Sequence, residues 1–441
     1  MRTVMTVGLA VALTAAIAPV AAAAVEVNPT PASQVWTVDG RGNGHGHGLS
    51  QYGARGAAMA GLSASRIVAF YYPGTKQMTV SASTIRVWIT DQGPATTVRA
   101  ARGLHVSGVG ALTAPGVSRW RLVPSGAGLA LQRLASGHWA TARSGLPARA
   151  DFTSTSGAVR TYHGDGSSSD YRGVVSGVRS GSGEITVNRL PLDAYVRGVV
   201  PREMPASWVA AAVQAQAIAA RTYARYVAEH AGGAYDICDT TNCQVYGGKA
   251  RYDSAGNRLY GEDSRSDSAV ARTANRVLYY AGHAAFTQFA ASNGGVMAAG
   301  SRPYLVGKAD PYDNARSGDP YLGWTRSVRV PHVAGYYGLA HVAGVDITAR
   351  VGGGPWGGVV TAATVRGTDS AGHRRSLHVT GTSLAWAMDL PYVLFHIRTP
   401  APVGHVAAVR IATTNSGRVL PSTTPVAGTT RAWWDALRLP M

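Results

Sequence analysis

The chain has 441 residues, of which 46% are hydrophobic, so it can bury a large core. That composition excludes an intrinsically disordered protein. The 41 basic residues outnumber the 23 acidic ones, and the formal net charge of +18 predicts anionic partners. The basic residues are mostly single arginines, and no helix-turn-helix, zinc-finger or single-strand-binding signature accompanies them, so we do not expect nucleic acid as a partner.

Residues 1–24 have the pattern of a secretory signal peptide. Arg2 supplies a positive start, residues 4–20 form an apolar run, and the alanines at 21–24 offer a cleavage site. The alternative is a retained anchor, but the run falls short of the roughly 20 apolar residues that span a bilayer. No later stretch is long and apolar enough. We therefore expect a secreted protein without a membrane span after cleavage, and cell-wall polymers as the anionic partners.

A glycine-rich block follows at residues 42–60, reading GNGHGHGLSQYGARGAAMAG. His45 and His47 alternate with glycines, so both imidazoles point the same way if the segment is extended. Two histidines without a third ligand form a weak zinc pattern, and a hydrogen-bonded scaffold is the favoured interpretation. Ser50 is a suitable N-cap for a helix that begins after it.

Residues 76–190 are predicted to form a strand-rich subdomain. Short alternating or β-branched runs begin at Ile85, Leu104, Arg119 and Ile185, and glycine and proline separate them. Further short strands are expected from residue 328 to residue 397. The chain as a whole is therefore predicted to be α+β and strand-rich.

The longest predicted helix lies in residues 205–227, with Pro205 in its first turn. Its apolar residues recur at steps of three and four and predict a buried face. Gln214 and Arg221 share a second, polar stripe, with Tyr223 close to it, and polar groups beside a buried face commonly line a cleft. The fold is thus expected to have a central buried helix, with the β-rich subdomain inserted before it.

Glu203 is an isolated carboxylate predicted to lie just ahead of that helix. A helix N-terminus would favour the ionised form, whereas an acid catalyst must keep its proton near neutral pH. Burial against Met204 and Trp208 would raise the pKa and reverse that balance. The alternative is that Glu203 only caps the helix.

Cys238 and Cys243 are the two cysteines of the chain. In an exported protein, a pair so close in sequence favours a disulfide that closes a short loop. Zinc held by these cysteines, with His230 upstream, is the less favoured alternative, and no other metal or cofactor is expected.

Four blocks resemble the SpoIID/LytB family, which comprises stage II sporulation protein D and the amidase enhancers. They are the glycine-rich block from Gly42, YYPGT from Tyr71, the segment LPLDAYVRGVVPREMPASWVAAAVQAQAIAARTYA, and FAASNGG from Phe289. The blocks occur in the family's order, and the resemblance covers residues 35–398. The tail at residues 399–441 departs from the family pattern, and its role is open.

The resemblance implies a lytic transglycosylase that acts on the glycan strands of peptidoglycan, with Glu203 as catalytic acid/base. It also implies substrate-binding roles at positions matching the family's motifs. These are Gln214, where sporulation members have lysine, Arg221, Tyr223, Ser292, Asn293 and Gly294, with His45, His47, Gln51 and Tyr52 as secondary candidates near the cleft.

Two functions remain open from the sequence. A hydrolase needs a second carboxylate opposite the first, and the nearest one, Asp193, is better explained as part of a structural turn. The lone Glu203 therefore favours a transglycosylase. The alternative is a non-catalytic wall-binding module that stimulates a separate cell-wall amidase.

Overall fold

The computed structural model describes residues 25–398, so the predicted signal peptide at residues 1–24 and the tail at 399–441 lie outside the described residues. The described part is mixed α+β and rich in strands, as predicted. Its α-helices are α1 Gln51–Met59, α2 Ala64–Tyr71, α3 Leu192–Glu203, α4 Ala210–His230, α5 Ser264–Arg272, α6 Val330–Tyr336 and α7 Gly381–Ala387. Ser50 caps α1 as expected, because its side chain accepts a hydrogen bond from the amide of Gly53 at 3.0 Å.

The strands fall into two runs, one before α3 and one after α4. The first run comprises β1 Glu26–Pro29, β2 Val35–Arg41, β3 Leu49–Ser50, β4 Lys76–Thr79, β5 Thr84–Ile89, β6 Thr96–Arg99, β7 Leu104–Val106, β8 Gly110–Ala111, β9 Val117–Ser125, β10 Gly128–Ala135, β11 His138–Leu146, β12 Arg149–Ser154, β13 Ala158–Tyr162, β14 Ser168–Arg172, β15 Val174–Ser180 and β16 Gly183–Pro191. The second run comprises β17 Ile237–Cys238, β18 Ala250–Tyr252, β19 Arg258–Gly261, β20 Arg276–Tyr280, β21 His283–Ala284, β22 Phe289–Ala290, β23 Val296–Met297, β24 Lys308–Ala309, β25 Trp324–Arg329, β26 His341–Gly352, β27 Gly358–Thr368, β28 Arg374–Thr380 and β29 Leu394–Ile397.

The predicted strand-rich segment forms two large sheets that pack against each other. One has the order β11-β10-β9-β6-β13-β14-β18-β19, and the other has the order β17-β5-β16-β15-β12-β7-β8. Strands β9 and β10 of the first sheet contact β15 of the second. Alternate residues of β5, namely Ile85, Val87 and Ile89, point into the core, which is the period of two that the sequence predicted.

Helix α4 lies at the centre of the larger core, where it contacts α1, α2, α3, α5 and β20. The predicted apolar face is buried at Val213, Ala217 and Ala220. Burial extends around most of the helix, because neighbouring helices cover it on several sides, and it includes the polar residues Gln216 and Thr222.

A second core closes the C-terminal part of the described chain. The sheet β1-β26-β27-β28 and the sheet β25-β2-β29 enclose it together with α6 and α7. Trp36 and Val38 of β2 point into this core. Within residues 25–398, none of the helices combines the length and hydropathy needed to cross a membrane.

Candidate active site

Glu203 is the last residue of α3 and lies ahead of the central helix, as predicted, but that helix does not begin at Pro205. The residue before a proline avoids the α conformation, and Met204 before Pro205 is extended, with φ −137° and ψ 135°. Helix α3 therefore ends at Glu203, and α4 begins only at Ala210. The C-terminus of a helix carries partial negative charge, so the local backbone dipole opposes ionisation of Glu203 instead of favouring it.

The Glu203 side chain is half-buried, and two distant parts of the chain face its carboxyl. Its Oε1 accepts a hydrogen bond from the backbone amide of Val245 at 2.9 Å, and the Gln51 amide group of α1 faces it. Burial raises the pKa of Glu203 to about 7, against the opposing effects of Val245, Arg202 and Gln51. A carboxyl with this pKa can both hold and release a proton near neutral pH.

The loop that carries Val245 is held in place by the residues just before Val245. Cys238 and Cys243 form a disulfide with a Cα–Cα distance of 5.6 Å, which confirms the predicted pairing over the zinc alternative. Gln244 is buried, accepts a hydrogen bond from the Tyr195 hydroxyl at 3.1 Å, and donates one to the carbonyl of Ala220 at 3.3 Å. These contacts position the Val245 amide against Glu203.

A cluster of aromatic side chains lies beside Gln51, and one of them, Tyr52, is the next residue of α1. Tyr52 packs against Trp208 with ring centroids 4.8 Å apart and meets Tyr321 edge-on at 6.1 Å. The guanidinium of Arg55 lies over the Trp208 ring, 5.0 Å from its centroid. Sequence reasoning placed Trp208 as a wall beside Glu203 but missed Tyr321, because no motif or spacing connects Tyr321 with the α1 segment.

Helix α4 contributes Tyr223 on the other side. The Tyr223 ring stacks on Phe286 at 5.3 Å, and its pKa is raised to about 12 by burial and then by the nearby Glu203 charge. Gln216 precedes Tyr223 by two helical turns on the same face. It is fully buried, and within residues 25–398 neither its amide nitrogen nor its amide oxygen has a hydrogen-bond partner. The Gln51 Nε2 atom is likewise buried without a partner in that range.

Two other predicted substrate-binding residues of α4 point away from Glu203. Arg221 is 1% exposed and donates to Asp193 Oδ1 at 2.5 Å and to the carbonyls of Ala217, Val270 and Arg276 at 3.3 Å. Its guanidinium thus joins α3, α4, α5 and β20 through these hydrogen bonds. It does not face a cleft, although the sequence predicted that orientation. Gln214 instead lines an open cavity beside Arg265 and Arg272 of α5.

The FAASNGG block is also internal. Ser292 and Asn293 are almost fully buried, and Asp313 Oδ2 accepts hydrogen bonds from Ser292 Oγ at 3.1 Å and from the amides of Asn293 at 2.8 Å and Gly294 at 3.2 Å. The same oxygen accepts from Ser50 Oγ at 2.8 Å. This block therefore joins the loop to the N-terminus of α1 and does not present its polar groups to a ligand in this arrangement.

The two histidines of the glycine-rich block stack on each other, with ring centroids 5.1 Å apart. The Nδ1 atom of His45 accepts from the amide of His47 at 3.0 Å, and His47 Nδ1 lies 3.3 Å from the carbonyl of Ala298. Burial lowers the pKa of His45 to about 3 and also lowers that of His47, so both rings are neutral at physiological pH. Gly46 requires its positive φ of 68°, and a Cβ there would collide with the Tyr392 ring.

A serine-histidine-aspartate relay occurs elsewhere, inside the strand-rich segment. His163 Nδ1 lies 2.6 Å from Asp91 Oδ1, and its Nε2 lies 2.8 Å from Ser169 Oγ. This connectivity resembles that of a nucleophilic triad. Ser169 is only 1% exposed, however, so a substrate cannot reach its hydroxyl, and the relay serves to join β14 to the loop after β5.

Comparisons with known proteins show similarity in this part of the chain. The SpoIID family, described as Stage II sporulation protein, matches residues 180–280, which include Glu203, Tyr223 and Val245. The amidase enhancer of Bacillus subtilis (strain 168) is 37% identical over 136 residues, covering 30% of this chain and 16% of that protein. Stage II sporulation protein D of Bacillus amyloliquefaciens is 31% identical over 218 residues, covering 46% of this chain and 61% of that protein.

Stage II sporulation protein D of Bacillus subtilis (strain 168) is 34% identical over 143 residues, covering 29% of this chain and 41% of that protein. The chain therefore spans less than two thirds of the length of each of these relatives. The similarity nevertheless includes the helix that ends at Glu203, the central helix and the disulfide loop. Residues 180–280 of this chain thus match the SpoIID family, and the chain is similar to proteins named stage II sporulation protein D and amidase enhancer.

Proposed function

We propose that this protein is a secreted cell-wall enzyme that cleaves peptidoglycan glycan strands between N-acetylmuramic acid and N-acetylglucosamine. The observation that carries the proposal is the Glu203 carboxyl, whose burial raises its pKa to about 7. In this proposal, protonated Glu203 donates to the glycosidic oxygen as the bond to the anomeric carbon breaks. Its carboxylate then takes the proton from the attacking hydroxyl.

Among residues 25–398, no carboxylate is one of the groups that shift the Glu203 pKa, and this favours a transglycosylase over a hydrolase. The effects that set the Glu203 pKa are burial, Val245, Arg202 and Gln51, and no neighbouring carboxylate is among them. Asp193, the nearest acid in sequence reasoning, is bound to Arg221. Since a hydrolase would need a second carboxylate to activate water, the substrate's own C6 hydroxyl is the proposed nucleophile, and the proposed product ends in 1,6-anhydro-N-acetylmuramic acid.

The groups around Glu203 suit a sugar chain. The Gln216 amide is a buried hydrogen-bonding group without a protein partner among residues 25–398, and unsatisfied groups of this kind are costly unless a ligand or water pairs with them. Tyr52 and Trp208 present partly exposed ring faces nearby. We assign substrate contacts to Gln51, Tyr52 and Tyr223, and a positioning role to Val245.

The proposed location is the cell wall outside the membrane. The predicted signal peptide would export the chain, and the net charge of +18 suits a wall whose polymers carry carboxylates and phosphates. The SpoIID-family match supports the same setting. Glycan strands and anionic wall polymers are therefore the proposed partners.

A second candidate function rests on the relative from Bacillus subtilis that is named amidase enhancer. In that case the chain would bind the wall and stimulate a separate amidase without cleaving glycan.

Product analysis separates the two functions. Purified protein is incubated with isolated glycan strands, and the products are identified by mass spectrometry. Anhydro-ended fragments support the transglycosylase, reducing-end fragments indicate a hydrolase, and intact strands together with a stimulated amidase indicate the enhancer.

A further inference from the structure

A cavity of about 360 Å³ opens on the strand-rich segment, outside the site around Glu203. Its lining combines strand β6 and the turn after it, the hairpin between β12 and β13, strand β14, and the loop that precedes β18. The volume lies within the range of small-ligand sites in proteins. None of the residues assigned to the proposed reaction lines it.

The charged groups of this cavity are predominantly basic. Arg99, Arg160 and Lys249 supply three positive charges, and Asp170 supplies one negative charge. Arg160 is neutralised locally, because its Nε donates to Asp170 Oδ1 at 2.7 Å and its Nη2 donates to Asp170 Oδ2 at 2.9 Å. The cavity is left with two positive charges that no acid within residues 25–398 compensates.

Those two charges belong to Arg99 and Lys249, whose side chains make no hydrogen bond or ion pair within the described chain. Most other arginines that face this subdomain are committed, as Arg172 is to Glu262 at 2.6 Å and Arg251 is to Asp91 at 2.5 Å. Arg99 is exposed and Lys249 is half-buried. Two unpaired cations lining one concave surface create a positive local potential that attracts anions.

The backbone holds Lys249 rigidly in place. Its amide donates to the carbonyl of Asp170 at 2.7 Å, and its carbonyl accepts from the amide of Glu262 at 2.9 Å. The remaining cavity wall is formed by small apolar residues and by the Ser154 and Ser156 hydroxyls, which bond to each other at 2.9 Å. Two cations beside a small neutral wall suit a compact anionic group better than a bulky apolar ligand.

We propose that this cavity is an anion-binding site that holds a phosphate or carboxylate group of a wall polymer, with Arg99 and Lys249 as its ligands. The site does not depend on the reaction at Glu203, because it would retain the polymer whether or not the glycan is cleaved. Phosphate and carboxylate share the chemistry that the two cations recognise, and the experiment distinguishes them.

The chain offers a direct probe, since it contains three lysines, Lys76, Lys249 and Lys308. Reductive methylation with ¹³C-formaldehyde keeps the positive charge and gives each lysine its own NMR signal, and Lys249→Arg assigns one of them. Inorganic phosphate and a glycerol-phosphate oligomer are titrated first, and poly-γ-glutamate of matched charge is titrated in parallel. We expect the Lys249 signal to shift with saturation, while the exposed Lys76 signal stays within the shift caused by an equal concentration of chloride.

Affinity for the polymers is then measured by calorimetry at fixed ionic strength. We expect Arg99→Gln combined with Lys249→Gln to raise the Kd about tenfold or more. The matched control is Arg133→Gln combined with Arg143→Gln, which removes the same charge from exposed positions on β10 and β11 of the same subdomain. That control should change the Kd less than twofold. Circular dichroism and the melting temperature check that each variant is folded.

A response to the phosphate polymer alone assigns the site to phosphate, and a response to poly-γ-glutamate alone assigns it to carboxylate. Equal weakening by both double variants would show that only the overall charge matters and would overturn the proposal. So would an unmoved Lys249 signal with every anion. All measurements can be repeated in the Glu203→Gln protein, so failure of this proposal is distinct from failure of the proposed enzyme activity.

Discussion

The backbone amide of Val245 donates a hydrogen bond of 2.9 Å to Oε1 of Glu203, across 42 residues of sequence. This contact opposes the rise in pKa that burial imposes on Glu203. The carboxyl therefore titrates near neutrality and not far above it. Because the disulfide loop positions the Val245 amide, the protonation of Glu203 depends on that loop, although the group that contacts Glu203 is a backbone amide and does not itself titrate.

Glu203→Gln tests the proposed acid directly. Glutamine keeps the size of the side chain and can still accept from Val245, but it cannot transfer a proton. We expect turnover of glycan strands to fall by about two to four orders of magnitude, with strand binding retained. Product formation is measured by mass spectrometry and binding by sedimentation with insoluble wall.

Glu184→Gln is the matched control for that variant. Glu184 is another carboxyl whose pKa burial raises to about 7, but it lies on β16 and accepts from the amide of Thr96 at 2.8 Å. Turnover should stay within about twofold of wild type. If both variants lose activity equally, the loss reflects removal of a buried acid in general and the role of Glu203 is refuted.

The pH dependence of turnover follows from the Glu203 pKa of about 7. The reaction needs the protonated carboxyl at its start, so the rate should be highest below pH 7. Above that value it should fall about tenfold per pH unit, as the carboxylate becomes the main form. Steady-state rates on glycan strands from pH 5 to pH 9 measure this. A rate that rises through pH 7 to 9 would contradict a general acid of this pKa.

Stability should also depend on pH through Glu184. Its folded-state pKa of about 7 lies above the ordinary glutamate value of 4.5, so between these values the folded protein binds more protons than the unfolded chain. The stabilising contribution of the protonated form is complete below about pH 4.5 and is lost as the pH rises to 7. Over this interval the free energy of unfolding of the wild type should fall by roughly 1–3 kcal/mol more than that of the Glu184→Gln variant. Urea unfolding measures both. An unchanged pH dependence in the variant would exclude Glu184 as its source.

Arg221→Ala is expected to act mainly on folding. It removes a buried guanidinium that pairs with Asp193 and with three backbone carbonyls, and one-sided removal of a buried pair costs about 3–5 kcal/mol. Arg225→Ala, one turn further along α4, breaks an exposed pair with Glu229 and should cost less than about 1 kcal/mol. Chemical denaturation compares the two. A stable Arg221→Ala protein with weakened glycan binding would restore the cleft-facing role expected from the sequence.

The disulfide should support both stability and the active site. Replacing Cys238 and Cys243 by serine removes a short loop closure worth about 2 kcal/mol. It also loosens the segment that carries Val245, and weakening that hydrogen bond should move the upper limb of the pH–rate profile to higher pH. Denatured, unreduced wild-type protein should show no free thiol. Two titratable thiols with one equivalent of zinc would contradict the pairing.

Local patterns were enough to predict much of this protein. Alternation in segments such as that of β5 predicted the strand-rich subdomain, Ser50 predicted the cap of α1, and the spacing of Cys238 and Cys243 predicted a loop-closing disulfide. Each of these features depends on residues within a few positions of one another. The motif blocks likewise predicted the similarity to the SpoIID family, which matches residues 180–280, since short motifs are read directly from the chain.

The surroundings of each side chain were decided only by the tertiary structure. Helical spacing places Arg221 and Gln214 on one stripe, but it does not say that α5 and β20 cover that stripe, so the expected cleft lies elsewhere. The Ser292 hydroxyl and the Asn293 backbone amide likewise donate hydrogen bonds to Asp313, which the sequence pattern did not predict. Glu203 acquires its pKa from Gln51 of α1, from the distant Val245 amide and from burial between them. Burial and long-range hydrogen bonds arise when remote segments pack together, and a one-dimensional pattern carries no record of which segments those are.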